Sequence, residues 1–315
     1  MAVTTTRQEP PPATPVPDAA LAGRPRRGLR LGSATLPWVY LLPCALFLLA
    51  MSAYPTAYAL YLSLTNAQNS ANGAKLIGLA NYGTLIHDPY WWQALQITLI
   101  IVVFAVGLEL TLGFLIALWL NESSWGNGIM SLFILPLAAS PVVVGYMFEY
   151  LYDGQLGLVT YLFGQLGIQV DLLANINTVV PAIIAVDVWE WTPFALLIFL
   201  AALKGVPDEP LEAARIDGAS YWQVVWHVIV PLMRTAAAVV LLFRMLDVFK
   251  IFDVIYVMTR GGPGRSSEAL SQYISENAFQ NLNMGYATSI ALVMLVIAVV
   301  ATRFLGRIAI PEESW

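Results

Sequence analysis

Six long apolar runs, separated by short polar segments, dominate the pattern of this 315-residue chain. They cover approximately residues 37–63, 95–120, 129–151, 179–203, 232–258 and 285–305. Each run is long enough to cross a bilayer, which takes about 20 mostly apolar residues. Because lipid offers the backbone no hydrogen-bond partners, runs of this length must be helical. The pattern predicts an all-α integral membrane protein with six transmembrane helices and with kinks or irregular turns near internal prolines such as Pro136 and Pro193.

The polar segment 204–231, between the fourth and fifth runs, predicts a short rigid helix outside the membrane. Asp208 suits the cap at its start, Glu209 and Pro210 suit its first turn, and Gly218 suits its end. A helix held between two membrane spans in this way has the form of a docking element for another protein.

The first 35 residues are rich in Pro and Arg, and they predict a disordered cytoplasmic tail. The apolar run that follows exceeds the 7–15 residues of a signal peptide, so we expect it to be retained as a membrane span. The predicted organisation is a tail at 1–35, a first transmembrane helix with an outer loop at 36–94, and a membrane core at 95–308.

Basic residues in the loops predict the orientation, because Lys and Arg accumulate on the cytoplasmic side. With both termini inside, ten basic residues lie on the cytoplasmic side and three lie outside. The inner set comprises Arg7, Arg24, Arg26, Arg27, Arg30, Lys204, Arg215, Arg234, Arg303 and Arg307, and the outer set comprises Lys75, Arg260 and Arg265. This orientation also places segment 204–231 in the cytoplasm.

Composition supports a membrane protein, with 58% hydrophobic residues, 11% charged residues and a mean hydropathy of +0.70. Soluble domains carry about 25% charged residues. Outside the N-terminal tail, no basic cluster with interleaved aromatic residues suggests nucleic-acid binding. Cys44 is the single cysteine, and His87 and His227 are the two histidines, so the chain offers no Cys/His ligand spacing for a metal.

Charged residues inside the apolar runs are the candidates for function, because burying them in lipid is costly. Arg244, Asp247, Lys250 and Asp253 lie three residues apart in the fifth run, with alternating sign. They could pair along one helix as an internal salt ladder, or they could line a hydrated pathway. Both interpretations remain open at this point. Glu109, in the second run, needs a partner that the sequence does not identify.

The fourth run carries Asp187 and Glu190 without a basic residue at pairing distance in the same run, so they must face another helix or water. Carboxylates beside aromatic rings suit a neutral polyol, since they accept hydroxyl hydrogen bonds while flat rings cover apolar sugar faces. The predicted substrate pathway consists of Asp187, Trp189, Glu190, Phe249, Lys250, Asp253 and Tyr256. The alternative for the Trp and Tyr residues is an interfacial aromatic belt.

A spaced motif lies in segment 204–231: Glu212-Ala213-Ala214, then Gly218, then Val228-x-Val230-Pro231. It resembles the EAA loop of ABC-type import permeases. The resemblance implies a coupling helix that docks on a cytoplasmic ATPase subunit. The residues implied in coupling are Glu212, Ala213, Ala214, Asp217, Gly218 and Pro231.

The stretch from Phe252 to Pro263, FDVIYVMTRGGP, resembles the FD-x-IYVLT-GGGP region of sugar-import permeases of the MalF-like type. Arg260 stands where the family has its first glycine. The segment Gly78-Leu79-x-Asn81-Tyr82 belongs to the same resemblance, which covers most of the chain from residue 37. It implies a type I ABC importer permease fold in the plasma (inner) membrane.

The resemblance also implies partners: a second homologous permease in a heterodimer, two cytoplasmic P-loop ATPase subunits, and an extracellular binding protein or lipoprotein. The chain lacks a P-loop of its own, because Lys75, Lys204 and Lys250 do not follow glycine. We therefore expect no cofactor and no enzyme activity in this chain, with ATP and Mg²⁺ bound by the partner.

Two other functions compete with this reading. The intramembrane carboxylates Glu109, Asp187 or Asp247 could serve as proton relays in a secondary transporter. A membrane-embedded enzyme is the third reading, but no Ser/His, Cys/His or paired-metal constellation supports it.

Overall fold

A computed structural model describes residues 36–68, 74–123, 126–168 and 170–309. The tail predicted at 1–35 lies outside the described residues. Within those ranges the regular secondary structure is helical, apart from one isolated bridge between Thr65 and Leu76. The helices are α1 (Leu36–Ser63), α2 (Ala80–His87), α3 (Pro89–Glu122), α4 (Gly126–Ile134), α5 (Pro141–Leu151), α6 (Leu158–Gln165), α7 (Val179–Leu203), α8 (Asp208–Ile216), α9 (Tyr221–Val224), α10 (Val230–Phe249), α11 (Asp253–Met258), α12 (Leu270–Ser275) and α13 (Met284–Ala309).

Four of the described helices are long and apolar enough to cross a membrane: Tyr40–Ser63 within α1, all of α3, all of α7 and Met284–Arg307 within α13. A bent pair, Met130–Ala138 and Pro141–Leu151, provides a fifth candidate span. The all-helical architecture is confirmed, whereas the count of six spans and the inward orientation of both termini stay predictions.

The third apolar run is not one helix, which corrects the prediction for 129–151. Its two halves meet at an angle of 101°. A 3₁₀ turn at Leu135–Ala138 contains Pro136, and Pro141 starts α5 after the extended Ser140. Proline removes a helical hydrogen bond and disfavours helical backbone in the residue before it, which accounts for the break. Helix α7, by contrast, continues through Pro193.

The fifth apolar run is also broken, so the predicted continuous span 232–258 is wrong. Helix α10 ends at Phe249 and α11 begins at Asp253. Lys250 and Phe252 leave the helical region, with φ and ψ of −101° and 16° and of −138° and −56° respectively. The three intervening residues include neither Pro nor Gly, so local sequence does not impose this break.

The chain divides into two units, Met1–Pro55 and Thr56–Trp315. In the first unit, the described side chains of α1 from Tyr40 onward are exposed. In the second unit, α3 packs against α7 and α10. A Cβ added to Gly113 would come within 2.6 Å of the Cβ of Ala195, so only glycine permits this separation of α3 and α7. Small residues at helix interfaces permit such close approach in membrane proteins.

The segment that follows α1 is fixed by the Asn81-Tyr82 motif. Asn81 Nδ2 donates hydrogen bonds to the carbonyl oxygens of Ser63 and Thr65, at 2.8 Å and 2.9 Å. The Tyr82 hydroxyl lies 2.8 Å from Ser63 Oγ. On the other side, a Cβ at Gly285 would lie 2.2 Å from the Thr65 carbonyl oxygen, which excludes any other residue there. These contacts assign a structural role to the motif.

The predicted helix in segment 204–231 is present as α8, which begins at Asp208 and ends at Ile216. Pro207 occupies the cap position and the Asp208 side chain makes no capping hydrogen bond, so the predicted capping role of Asp208 is wrong. Gly218 adopts a left-handed φ of 78°, and the Ala219 N–H donates to the Ala214 carbonyl at 3.0 Å. This glycine-dependent geometry ends the helix as expected.

Helices α9 and α10 form one rod, because a π-helical turn at Val225–Ile229 joins them. The Val230 N–H donates to the Val225 carbonyl, five residues earlier. Pro231 follows directly. Proline has no backbone N–H to donate, and in a regular α-helix its ring clashes with the carbonyl four residues earlier. The wider π turn accommodates the proline without ending the helix. The rod from Tyr221 to Phe249 is about 40 Å long at the usual rise per residue.

Candidate functional site

Charged side chains from three helices converge on Arg244, whose side chain is fully buried. Its Nε and Nη2 donate to Glu109 Oε2 and Oε1 at 2.6 Å and 2.8 Å. Nη2 also donates to Asp187 Oδ2 at 2.8 Å, and Nη1 donates to Asp247 Oδ2 at 2.6 Å. We call these four residues the Arg244 cluster. It ties α10 to α3 and α7.

Aromatic and apolar side chains enclose this cluster. The guanidinium lies over the Trp191 ring, 4.4 Å from its centroid. Glu109 is fully buried and the Asp187 side chain is 5% exposed. Charge-assisted hydrogen bonds in such surroundings are strong, and removal of one partner leaves a buried charge uncompensated. The cluster is therefore a rigid polar joint inside an apolar bundle.

Asp247 connects the buried cluster to an open face of the protein. Its Oδ1 lies 3.3 Å from Lys250 Nζ, and the exposed fractions are 26% for the Asp247 side chain and 71% for the Lys250 side chain. The pairs Arg244–Asp247 and Asp247–Lys250 confirm the salt-ladder interpretation for these three residues. Asp253 is exposed and belongs to none of the ion pairs in the described part of the chain. The hydrated-pathway interpretation stays a prediction.

The break between α10 and α11 presents this open face. Lys250, Asp253 and Tyr256 are exposed there, and the Tyr256 ring stacks on Phe252 with centroids 5.3 Å apart and planes 18° apart. Phe249 is placed differently, because it is buried in the hydrophobic core. Of the residues predicted for the pathway on this segment, the structure gathers three at the surface and places Phe249 behind them.

Glu190 is 2% exposed, and its Oε2 has no hydrogen-bond partner within the described residues. The charged groups that act on it are Asp187, Arg244, Asp247 and Asp253. Leaving a buried acceptor unpaired costs about 1–3 kcal/mol. Such an oxygen is suited to accept a hydrogen bond from a ligand hydroxyl. Trp189, its neighbour, is partly exposed and packs its ring edge-on against Phe148 at 5.2 Å.

Sequence reasoning did not identify two parts of this site: Arg244 as the partner of Glu109 and Asp187, and Trp191 as the ring that covers it. One signal was available. Arg244 and Lys250 are the only cations in the middle of the runs, and several carboxylates there had no local partner. The distance of 135 residues between Glu109 and Arg244 kept that pairing from being assigned.

A second candidate surface lies on α8 and the start of the rod. Glu212 and Ala213 are exposed, and Ile216 is 85% exposed. Behind them lies a cavity of about 440 Å³, lined by Ala214, Asp217, Gly218, Ala219, Gln223, Val224, His227 and Val228. The rings of Tyr221, Trp222 and Trp226, on the same part of the rod, are also exposed. Of the motif residues and their neighbours, Ala214, Val228 and Val230 are half-buried, whereas the exposed ones are Glu212, Ala213, Asp217, Gly218 and Pro231.

The loop that follows α11 is held to the start of α3 by Arg265. Its guanidinium lies over the Tyr90 ring at 4.7 Å and forms ion pairs with Glu268, at 2.8 Å, and with Glu276. Burial and the neighbouring Glu276 together raise the pKa of Glu268 to about 7, although Arg265 opposes the shift. Arg260 stands at the position of the family's first glycine and has a φ of 52°, a left-handed conformation that glycine adopts more readily than other residues.

Near the start of α3, Asp88 links that helix to α12 and α13. It caps α3 by accepting from the Tyr90 N–H at 2.9 Å, and it also accepts from the Tyr273 and Tyr286 hydroxyls. Burial raises its pKa, but these hydrogen bonds together outweigh burial and hold the pKa below its usual value.

Sequence comparisons give one consistent family. The family described as "Binding-protein-dependent transport system inner membrane component" matches residues 109–309. The chain is 36% identical to the trehalose transport system permease protein SugA of Mycobacterium tuberculosis, with 89% of this chain and 91% of that protein covered. It is 30% identical to the trehalose/maltose transport system permease protein MalF of Thermococcus litoralis, with 82% and 86% covered.

Structural comparison gives the same fold. A chain of a bacterial ABC transporter involved in the import of the acidic polysaccharide alginate superposes with a TM-score of 0.76 at 22% identity. The match covers 87% of this chain and 94% of that chain. The fold is therefore that of an ABC importer transmembrane subunit.

Proposed function

The chain belongs to the family of binding-protein-dependent transport system inner membrane components, and from that premise we propose that it carries a neutral sugar or related polyol across the inner membrane. The solute is delivered by an extracellular binding protein, and ATP is hydrolysed on separate cytoplasmic subunits. The chain is a permease and not itself an enzyme.

The proposal of a neutral sugar or polyol as the solute is based on the open face at the α10–α11 break. Helix interruptions inside membrane transporters are tolerated where the backbone lines a water-filled cavity. Here the break exposes Asp253 and Tyr256, and the Tyr256 ring stacks on the half-buried Phe252. A carboxylate suits hydroxyl groups, and an aromatic ring suits the apolar face of a sugar. The unpartnered Oε2 of Glu190 supplies a buried hydroxyl acceptor nearby.

The charge arrangement supports a neutral solute rather than an anionic one. Arg244 donates four hydrogen bonds to carboxylates and its face is covered by Trp191, so it is engaged within the protein. Lys250 is paired with Asp247. An anionic sugar would meet Asp253 without a free buried cation to compensate.

The second candidate surface, on α8 and the start of the rod, supports coupling of transport to ATP hydrolysis on a partner subunit. Ile216, Glu212 and Ala213 project from α8, and Gly218 ends that helix with a fixed left-handed turn. The rod that begins at this surface contains the π turn before Pro231 and, beyond it, Arg244 with its cluster. ATP-driven movement at α8 would thereby reach the α10–α11 break. The proposed assembly contains a second homologous permease in a heterodimer, two P-loop ATPases and the binding protein, with both termini of this chain in the cytoplasm.

Transport in membrane vesicles tests the proposal. The vesicles contain the full importer, with ATP on the side of the ATPases and the binding protein on the opposite side. They should accumulate labelled trehalose or another neutral disaccharide. Glu190→Gln should lower the rate at limiting sugar by about tenfold, an effect that matches the loss of one charged hydrogen-bond acceptor. Lys75→Gln, an exposed change in the loop before α2, serves as a control that keeps the parent rate.

Two results would contradict the proposal. Uptake that survives removal of ATP but stops when the proton gradient collapses would favour the secondary transporter. Equal uptake of neutral and uronic-acid disaccharides would contradict the neutral solute while leaving ATP-driven import in place.

A further inference from the structure

The short helix α6 exposes apolar side chains where a helix facing water would carry polar ones. The exposed large apolar residues on it and beside it, which we call the α6 patch, are Leu156, Leu158, Tyr161, Leu162, Leu166 and Ile168. From Leu158 to Leu166 they recur at intervals of three and four residues, so they form one stripe along the helix. Single exposed apolar residues are ordinary, whereas a contiguous patch marks a contact surface.

The opposite side of α6 is already packed against the protein. Val159 contacts the buried cluster that contains Val144 of α5 and Val186 of α7. The Thr160 hydroxyl donates a hydrogen bond to the Tyr152 carbonyl oxygen at 3.3 Å. Helix α6 is therefore apolar on two sides, and only one of them is covered by this chain.

The turn before α6 fixes which side faces outward. Asp153 Oδ1 accepts from the N–H groups of Gln155 and Leu156, at 2.9 Å and 2.7 Å. The Gly157 N–H donates to the Asp153 carbonyl oxygen at 3.0 Å. A Cβ at Gly157 would lie 2.5 Å from that oxygen, so a larger residue would displace the turn. The exposed stripe is thus a defined surface of the fold.

The segment that carries the patch has no charge. Residues 154–170 include no Asp, Glu, Lys, Arg or His, and the nearest charged residues along the chain are Asp153 and Asp171. An interface with a soluble protein usually has a polar rim around its apolar centre. An uncharged apolar stripe fits the hydrocarbon of a bilayer better than such an interface.

The position of α6 in the chain places it beside the bilayer. It links α5, the second half of the bent candidate span, to α7, which is a candidate span itself. The connection between two consecutive spans lies at a membrane surface. Tyr146 and Tyr150, on the α5 side of the connection, are exposed as well. Tyrosine is enriched at membrane–water interfaces, and Tyr161 brings a third ring to this end of α5.

We propose that α6 lies in the membrane–water interface, with the α6 patch inserted into the lipid. Helices of this kind bury their apolar face about 5–10 Å into the boundary between headgroups and acyl chains. Both flanking charges are acidic, so apolar burial holds the helix there and attraction to anionic lipid does not. The contact anchors the connection between α5 and α7 to the bilayer. The proposal does not depend on which solute is transported.

Spin labels at single cysteines test it in the full importer, reconstituted into bilayers of phosphatidylcholine. Cys44→Ser removes the only native cysteine, and Leu162→Cys or Leu166→Cys then carries the nitroxide. Oxygen concentrates in the bilayer, whereas a neutral nickel chelate stays in water. Continuous-wave power saturation should show that both labels collide more often with oxygen than with the chelate.

Two other labelled positions are the matched controls. Asn177→Cys, at an exposed polar residue of the same connection, should collide more often with the chelate than with oxygen. Val159→Cys, on the packed side of α6, should meet both reagents less often than the patch labels do. Two patch positions are used so that a local effect of one label does not decide the result.

The other outcomes overturn the proposal. Patch labels that prefer the chelate would show that water covers the patch. Patch labels that meet neither reagent would show that a protein covers it, either the second permease or another copy of this chain. An oxygen preference that is lost when the binding protein is added would assign the patch to that partner instead of lipid.

Discussion

At the scale of single residues, Arg244 organises the interior of this permease. It donates four hydrogen bonds to carboxylates on α3, α7 and α10 from a fully buried position. A guanidinium can do this because its five N–H groups point in a fixed plane, whereas an ammonium is a compact point charge. Because its donors are occupied by carboxylates, Arg244 is not available to bind an anionic solute.

Arg244→Lys should therefore destabilise the protein, although it conserves the charge. Lysine cannot reach Glu109, Asp187 and Asp247 together, so at least one carboxylate is left buried and unpaired. The expected loss is about 3–5 kcal/mol, measured as a lowered Tm and a reduced yield of folded chain in membranes.

Lys250→Gln is the control for that change. The Lys250 side chain is 71% exposed and its ion pair with Asp247 is solvent-screened, so the expected loss is at most about 1 kcal/mol. An equal Tm loss in the two variants would contradict a special role for the guanidinium.

At the scale of elements, close packing of α3 on α7 positions the acidic residues that meet Arg244. Gly113 is the residue that permits it, because α7 approaches within 2.6 Å of where a Cβ would lie. Glu109 is one turn away on the same helix. The position of Glu109 relative to Asp187 is thus fixed by backbone packing rather than by the charges alone.

Gly113→Ala should destabilise the protein by about 1–3 kcal/mol, because the added methyl group overpacks the contact with Ala195. Gly107→Ala is its matched control on α3. Apart from the backbone of its own helical turn, no atom lies within 4 Å of a Cβ there, so this change should be neutral or stabilising by about 0.5–1 kcal/mol. Thermal unfolding of both variants measures the difference, and a Gly113→Ala chain as stable as Gly107→Ala would contradict the packing argument.

Coupling of transport to ATP hydrolysis is also argued at the scale of elements, because it depends on α8 as a unit. Glu212→Ala removes an exposed side chain from the motif, and Gly218→Ala forces a side chain into a φ of 78°. Both should abolish the transport-linked part of ATP hydrolysis while the chain still inserts into the membrane. Glu209→Ala, exposed on the first turn of the same helix, is the control and should keep coupled turnover. Normal coupling in the first two variants would overturn the assignment of this surface.

At the scale of the whole molecule, the fold places two surfaces on one connected rod. The α8 surface lies near its start and the α10–α11 break lies at its other end, about 40 Å away. If the rod crosses the membrane, these two surfaces lie on opposite sides of its midplane. That arrangement is what ATP-driven import through a partner requires.

The orientation is tested by labelling single cysteines. Cys44 is the only cysteine, so Cys44→Ser provides a cysteine-free background. With both termini inside, Glu212→Cys should react with a membrane-impermeant maleimide only in inside-out vesicles, and Arg260→Cys only in right-side-out vesicles. The reverse pattern would contradict the orientation predicted from the basic residues.

Local sequence was sufficient to predict that α8 exists and stops at a glycine, although not the cap at Pro207, because helix ends depend on the conformational preferences of a few residues. It was insufficient at the α10–α11 break, where Lys250, Ile251 and Phe252 carry no helix-breaking signal. It also left Glu109 without a partner, since Arg244 lies 135 residues away. The predicted roles of the pathway residues in binding solute stay predictions.

The sequence by itself determined the membrane class, the helical architecture and the position of the EAA-like motif, because apolar length and residue spacing are properties of short segments. Tertiary structure decided which carboxylates share Arg244, which of the predicted pathway residues reach the surface, and that Phe249 faces the core. These outcomes depend on how three helices approach one another. That approach is set by contacts such as Gly113 with Ala195, between residues far apart in the chain.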